Sequence, residues 1–353
     1  MTERVRLALY VQHLLGIGHL RRAAALARAY ADAGAEVLVF SGGVPVADID
    51  FGAARLLQLP ACLAADAAFS SLLDTEGQAI DSDWKDRRRE MLLKEMAAFQ
   101  PDAIVIEMYP FGRRQFRFEL LPLLYWAQNR ACLIVSSVRD ILVDKGRDDR
   151  VLEAADLIRR YFDLVLVHGD PRLVPFERTF PRAPAIADRM RYTGYVVEKP
   201  AAEAIHDRSG GEVLVSAGGG AVGAPLFMAA LQARRLSGLK DRVWRFVTGR
   251  NLPEEDFGYL KRASEVDSGI IVERFRSDFA DLMARCQNRF QHRHGKLRRA
   301  HEHETARRGA HPFVTPSVAI TSRMLRSTLS RERRRMPSAS ARRKLATCLP
   351  ASR

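Results

Sequence analysis

Twice in this chain a short, unbroken apolar run passes through a glycine-rich turn into a helical stretch, and this repeated pattern restricts the fold more than any other feature. The first instance is "VRLALYV", "GIGHLRR" and "LRRAAALARAYADAG", its helix stopping at Gly34; the second is "EVLVSA", "GGGAVG" and "APLFMAALQARRL". An apolar run without polar alternation reads as a strand buried on both faces. A helix between two such strands makes them parallel neighbours through a right-handed crossover. Further runs extend each pattern: "AEVLVFSGG", "DAIVIEMY", "RACLIVSSV" and "FDLVLVHGD" in the first half, "VWRFVTG" and "GIIVERF" in the second. The fold class is therefore α/β, with two doubly wound domains, the second incomplete. Residues 1–197 form the first domain. Residues 198–211 are a linker, because "VVEKPAAEAIHDRSGGE" mixes Pro, Gly, Ala and charge without periodicity. Residues 212–286 begin the second domain, and residues 287–353 read as a basic tail of low order.

The charge supports that last boundary. The chain has 353 residues and a net charge of +14, and residues 287–353 hold 17 Lys and Arg against 3 Glu and no Asp. Residues 1–286 hold 39 basic and 39 acidic side chains, so the fold itself is neutral. A nucleic-acid-binding role would rest on the tail alone, whose aromatic residues are Phe290 and Phe313, too few for a stacking platform. No specific nucleic-acid partner is expected. The four cysteines lie far apart with no C-x-x-C pair, which argues against a zinc site or disulfide framework and fits a reducing cytoplasm. The opening apolar run is broken by Gln12 and His13, so it is neither a signal peptide nor a membrane span. No metal is expected: "HRH" and "HEH" in the tail follow from its composition. "DSD" at 81–83 precedes a helix, where Asp83 reads as an N-cap. "RRR" at 87–89 reads as a solvated helix face.

Ligands of doubly wound domains bind outside the carboxyl ends of the strands, which directs attention to the loops there. Gly16 and Gly18 open the first such loop, and His19 follows at the start of the helix. A neutral imidazole in that place can take a proton from a hydroxyl, so His19 is the candidate general base; the alternative is that it only packs the turn. Glu107, Tyr109 and Arg113 follow a later strand, and His168 and Asp170 follow another, in positions suited to an acceptor. In the second half, Ser216, Gly218, Gly219 and Gly220 lie on a glycine-rich strand-to-helix turn that can hold a diphosphate with backbone amides. The next strand ends "VTGRN" without the acidic residue that a dinucleotide ribose requires, which disfavours a nicotinamide enzyme. No cofactor is expected.

Two successive Rossmann-like domains, with "GxGH" in the first and "GGG" in the second, resemble the GT-B glycosyltransferases. More specifically, the blocks "LYVQHLLGIGHLRRA", "PDAIVIEMYPFGRRQFRFELLPLL", "LVLVHGDPR", "RYTGYV", "VLVSAGGGAVG", "FVTGRNLP" and "VERFRSDFADLMARC" resemble predicted bacterial glycosyltransferases related to family 28, the MurG-like group. The resemblance spans the chain up to Cys286. It implies two Rossmann-like domains facing a cleft. It also implies a hexosyl group moved from a nucleotide-diphosphate sugar, UDP-linked by expectation, to a hydroxyl by metal-independent inverting displacement. His19 would be the base for the acceptor hydroxyl or else a phosphate contact, residues 218–220 would face the diphosphate, and Thr248, Gly249 and Arg250 would lie beside the nucleotide. The acceptor would be a lipid or saccharide, and the location cytoplasmic with peripheral contact at the inner face of the membrane.

After "DLMARC" the chain departs from that group, which continues with a Ser/Gly-rich loop and a Glu-bearing helix. A change of coding frame close to Cys286 is the expectation, since a GC-rich gene read out of frame yields Arg, Ala, Pro, Ser and His. Weak donor binding and little turnover would follow. The competing classes are a sugar-nucleotide-binding protein without catalysis and a nucleic-acid binder acting through the tail.

Overall fold

The computed structural model describes residues 4–14, 16–47, 49–66, 71–142, 148–196, 211–217, 223–250, 252–276, 278–279 and 282–283, and the backbone of 288–293 and 296–299. They divide into two compact units between residues 197 and 198.

The first unit runs β1 (Arg6–Val11), α1 (Gly18–Asp32), β2 (Glu36–Ser41), β3 (Arg55–Gln58), a small antiparallel pair of β4 (Leu63–Ala64) and β5 (Leu72–Leu73), and α2 (Ser82–Phe99). It continues with β6 (Ala103–Glu107), α3 (Arg117–Gln128), β7 (Leu133–Arg139), α4 (Asp148–Tyr161), β8 (Leu164–His168) and β9 (Met190–Tyr192). Seven strands form one parallel sheet in the order β3-β2-β1-β6-β7-β8-β9. Alternation along β1 explains the two-sided core: Ala8 and Tyr10 pack with residues of α2, α3 and α4, whereas Leu7, Leu9 and Val11 pack with α1. Helix α1 buries Leu20, Ala23, Ala24, Ala27 and Tyr30 on one stripe. Asp81 caps α2 by accepting a hydrogen bond from the Trp84 amide at 2.7 Å, and Asp83 lies in the first turn instead of at the cap. A carboxylate one residue before the helix reaches the free amides there.

The strand order decides where a ligand can sit. From β1 the chain builds outward through β2 and β3, then returns to place β6 on the other side of β1. Order therefore reverses between β1 and β6, whose carboxyl ends, Val11 and Glu107, lie side by side. A crevice opens at such a switch point because the connections on either side of it lead away in opposite directions.

The second unit contains β10 (Val213–Ser216), α5 (Ala224–Leu236), β11 (Trp244–Val247), α6 (Glu254–Val266), β12 (Ile270–Glu273), β13 (Asn288–Arg293) and β14 (Lys296–Arg299). Its sheet has the order β12-β11-β10-β13-β14, parallel except for β14. Helices α5 and α6 cover one face through Leu226, Phe227, Ala230 and Leu260; Leu282 meets Leu214 and Val247 on another surface of the sheet. β13 and β14 fall on residues that the sequence assigns to the basic tail. Strand pairing uses backbone groups, so a segment without apolar alternation can cover the open edge of β10. The rest of the tail, and the linker over 198–210, lie outside the described residues.

Candidate active site at the carboxyl end of the first sheet

The switch-point crevice gathers a chain of polar side chains from five elements. His19 lies in the first turn of α1, a helix with no side-chain N-cap, and Arg22 stands one turn on. Glu107 ends β6, is 1% exposed, and is met from one side by both: His19 Nδ1 is 3.1 Å from Oε1, and Arg22 donates to the same oxygen from Nε at 3.0 Å and from Nη2. From the other side, Ser137 of β7 donates its hydroxyl to Glu107 Oε2 at 2.5 Å. Glu107 and Ser137 are register partners, so the sheet itself brings them together. Ser137 Oγ also lies 2.9 Å from His168 Nε2, and His168 Nδ1 lies 2.7 Å from Thr193 Oγ1.

The proton positions follow from the partners. Ser137 has one hydrogen and gives it to the carboxylate, so His168 must donate to Ser137 from Nε2 and accept from Thr193 at Nδ1. That is a neutral ring, and burial followed by the Arg22 charge holds His168 down to about 3. Burial alone would raise Glu107, but the Arg22 guanidinium and the His19 contact outweigh it and keep the carboxyl well below the usual range. Burial lowers His19 to about 4, although the hydrogen bond to Glu107 acts in the opposite direction. Arg22 Nη2 is also 3.1 Å from His19 Nδ1, and a guanidinium can only donate. Nη2 has a second hydrogen that an Nδ1 lone pair could accept, but Nδ1 also faces the Glu107 carboxylate, which only accepts, and that contact favours the ring proton on Nδ1. The Nε2 lone pair of His19, a side chain 21% exposed, is then the basic atom open to a ligand.

Around this chain stand two more arginines. Arg113 has left-handed backbone at φ 62, and its buried Nε has no hydrogen-bond partner among the described residues; burial lowers its proton affinity. Burial and the charges of Arg22 and Arg113 bring Arg139, the last residue of β7, to about 10. Met108, beside Glu107, is also left-handed at φ 68. Two such non-glycine residues within six positions are strain of the kind concentrated at functional sites.

Other sequence candidates are placed differently. Gly16 and Gly18 are exposed, and a Cβ on either would meet nothing within 4 Å, so no packing within the chain requires glycine there. Tyr109 lies in the core: it is fully buried, with its ring 6.5 Å from that of Phe162 and its hydroxyl pushed up to about 12 by burial. His168 is 3% exposed and faces Ser137 and Thr193 within the sheet. Asp170 lies outside the chain of contacts and pairs with Arg172 at 2.7 Å.

In the second unit Ser216 is buried at the end of β10, and Gly218, Gly219 and Gly220 lie outside the described residues. Thr248 is fully buried, with its hydroxyl 3.3 Å from the Gly249 carbonyl and 3.4 Å from that of Glu273. Gly249 needs its left-handed φ of 86, and Arg250 lies exposed with its guanidinium 4.2 Å from the Phe275 ring. Among the described residues no three His, Cys, Asp or Glu side chains cluster as metal ligands would, and no helix is long and apolar enough to cross a membrane. Ser137 is not singled out from the sequence, and Thr193 appears only inside the block "RYTGYV" with no role assigned. The available signal was "SS" inside an otherwise apolar strand, since buried hydroxyls need partners.

No protein-family model matches this chain, and no curated protein matches its sequence. Solved structures do match in fold. A UDP-glucosyltransferase from Polygonum tinctorium, capable of glucosylating indoxyl, is 11% identical with a TM-score of 0.53 over 83% of this chain and 76% of its own. UDP-N-acetylglucosamine 2-epimerase from Rickettsia bellii is 12% identical with a TM-score of 0.52 over 82% and 74%. S. aureus MnaA, solved with UDP, is 13% identical with a TM-score of 0.50 over 82% and 74%. At such identities the likeness speaks for architecture: the chain has the GT-B fold, two Rossmann-like α/β domains in series.

Proposed function

We propose that this protein transfers a hexosyl group from a UDP-linked sugar to a hydroxyl acceptor, with His19 as general base. The observation that carries this reading is the His19–Glu107 pair at the switch point, with Nδ1 held by a buried carboxylate and Nε2 turned outward. His19 Nε2 takes the acceptor proton while the acceptor oxygen bonds to the anomeric carbon and the nucleoside diphosphate leaves with the electrons of the broken bond. A single displacement inverts the anomeric centre, and the reading includes no metal. Glu107 stabilises the imidazolium formed, as the orienting carboxylate of a triad does. Two proteins of the same fold support the donor class, one named a UDP-glucosyltransferase and one solved with UDP. The family 28 resemblance supports a lipid or saccharide acceptor, a cytoplasmic location and peripheral contact with the membrane; it also supports a frame change near Cys286, which translating the gene in its other frames would test.

A second reading, nucleotide-sugar binding without turnover, is favoured by one observation: His19 at about 4 is a weak base. Incubating the full chain with a panel of UDP-sugars and hydroxyl acceptors, and measuring UDP release and glycosylated product, separates the two. Product that depends on His19 supports transfer. Thermal protection by UDP without product supports the binder, and a sugar altered at carbon 2 would indicate epimerisation.

A further inference from the structure

We propose that His168 is a positioning residue for His19, acting through Ser137 and Glu107, and that the buried row from Thr193 to Glu107 serves to aim one carboxylate at the base. That His19 acts as a base rests on the transfer reading; the order of the row stands on the contacts themselves.

The row is a polar layer laid across the ends of the strands. Glu107, Ser137 and His168 each follow by two positions an apolar residue, Val105, Val135 and Leu166, that packs in the core with α1. Two positions along a strand return to the same face, so the three polar residues continue that apolar layer toward the carboxyl ends. Thr193 joins from just after β9, where its amide donates to the Val167 carbonyl at 3.0 Å. Glu107, Ser137, His168 and Thr193 are 1%, 0%, 3% and 1% exposed, whereas the His19 side chain is 21% exposed. His19 is therefore the one of these five that a ligand can reach.

Burying four polar side chains is costly unless each is paired, and apolar residues would fill the strand ends without that cost. All four are paired, and the pairing has a direction. Glu107 as a carboxylate only accepts, so the Ser137 hydrogen goes to Oε2 at 2.5 Å. The Ser137 oxygen then takes the Nε2 hydrogen of His168 at 2.9 Å, which leaves the His168 Nδ1 lone pair facing Thr193 Oγ1 at 2.7 Å. Thr193 has longer alternatives in the carbonyls of Gly194 at 3.1 Å and Val167 at 3.4 Å. Two facing lone pairs at 2.7 Å would repel, so its hydrogen points to His168. Every hydrogen in the row thus points toward Glu107, and each donor polarises the next.

The consequence falls on His19. Arg22 and Ser137 hold the two oxygens of Glu107, so the carboxylate is kept from turning and Oε1 stays 3.1 Å from His19 Nδ1. Without the donor from His168 the Ser137 hydroxyl loses its anchor, Oε2 is held less firmly, and the orientation of His19 relaxes. An imidazole is not needed for this task. An N–H at the place of Nε2 suffices, and the amide of a glutamine can supply it.

The test starts with the wild-type protein: nitrogen-15 shifts of the His168 ring should place its proton on Nε2, and a proton on Nδ1 overturns the proposal. His168→Leu and His168→Gln are then compared with wild type as full chains, with melting curves verifying that each folds. His168→Leu should dilute the Nδ1–H form of His19 and lower the rate of sugar transfer about tenfold, part of the roughly 10²–10⁴ that a general base supplies, with UDP affinity unchanged. His168→Gln should recover most of both losses. An unchanged His19 ring in folded His168→Leu, or a His168→Gln protein as impaired as His168→Leu, overturns the positioning role. If wild type forms no product while the His19 ring responds as predicted, the transfer reading falls and the positioning role stands.

Discussion

Replacing Arg88 by Met should destabilise the first unit by several kcal/mol. Arg88 is fully buried in α2 and holds Glu119 of α3 with two bonds, Nε to Oε2 at 2.8 Å and Nη2 to Oε1 at 2.9 Å. Its Nη1 donates to the carbonyls of Gly42 at 3.0 Å and Pro60 at 2.7 Å, and Nη2 donates to Gln12 Oε1 at 2.6 Å. Tyr10 donates its hydroxyl to Glu119 at 2.5 Å. Met fills similar length but leaves a carboxylate in the core with only Tyr10 to meet it, and breaking a buried pair this way costs about 3–5 kcal/mol. In a unit of this size each kcal/mol lowers the melting temperature by roughly 2–4 °C, so a fall of about 6–20 °C is expected. The double variant Arg88→Met with Glu119→Leu removes the stranded charge and should recover at least about 2 kcal/mol of that loss. Urea and thermal unfolding of the full chain by circular dichroism measures all three proteins. A single variant melting within 2 °C of wild type, or a double variant no more stable than the single, would refute the account of this core.

Gly42→Ala should also destabilise, by about 1–3 kcal/mol in the same melts, because its Cβ would overlap Gln12 Oε1 and Arg88 Nη2, both held in that network. Stability should fall on acidification. Below the ordinary histidine value of 6.5 the unfolded rings bind protons that folded His19 and His168, at about 4 and about 3, refuse. The two together give a slope of about 2.7 kcal/mol per pH unit between pH 6 and the folded values, and Glu107 adds a further loss below its unfolded value. Urea midpoints that stay flat from pH 7.5 to 5 would contradict this. Ser137→Ala removes the donor to Glu107 Oε2 and the acceptor of His168, costing about 1–3 kcal/mol. Nitrogen-15 spectra of the His19 ring should then show the Nδ1–H form diluted by its tautomer; an unchanged ring would mean that Ser137 does not orient Glu107.

The central strands of the first unit were legible because they are continuous apolar runs: β1, β2, β6 and β8 fall inside the runs read as strands, and β7 does so up to Val138, whereas β3 and β9, short and mixed in character, left no such signature. Glu107 and His168 could be flagged from their places at strand ends, yet their link through Ser137 depends on register between strands far apart in sequence. Arg88 was misread as solvated. Its charge hid the spacing of 88, 92, 96 and 99, one helical stripe whose other members are Leu92, Met96 and Phe99, all buried. β13 left no apolar signature because its place in the sheet is shown by backbone pairing to β10.

The central claim is that His19, held by Glu107, removes the acceptor proton during sugar transfer. Its most direct test compares wild type with His19→Ala for the rate of glycosylated product from a UDP-sugar, with UDP affinity measured alongside. The predicted result is a loss of about 10²–10⁴ in rate with UDP affinity unchanged. Product formed by His19→Ala at a rate within about threefold of wild type would contradict the claim, as would a chain that binds UDP and never forms product.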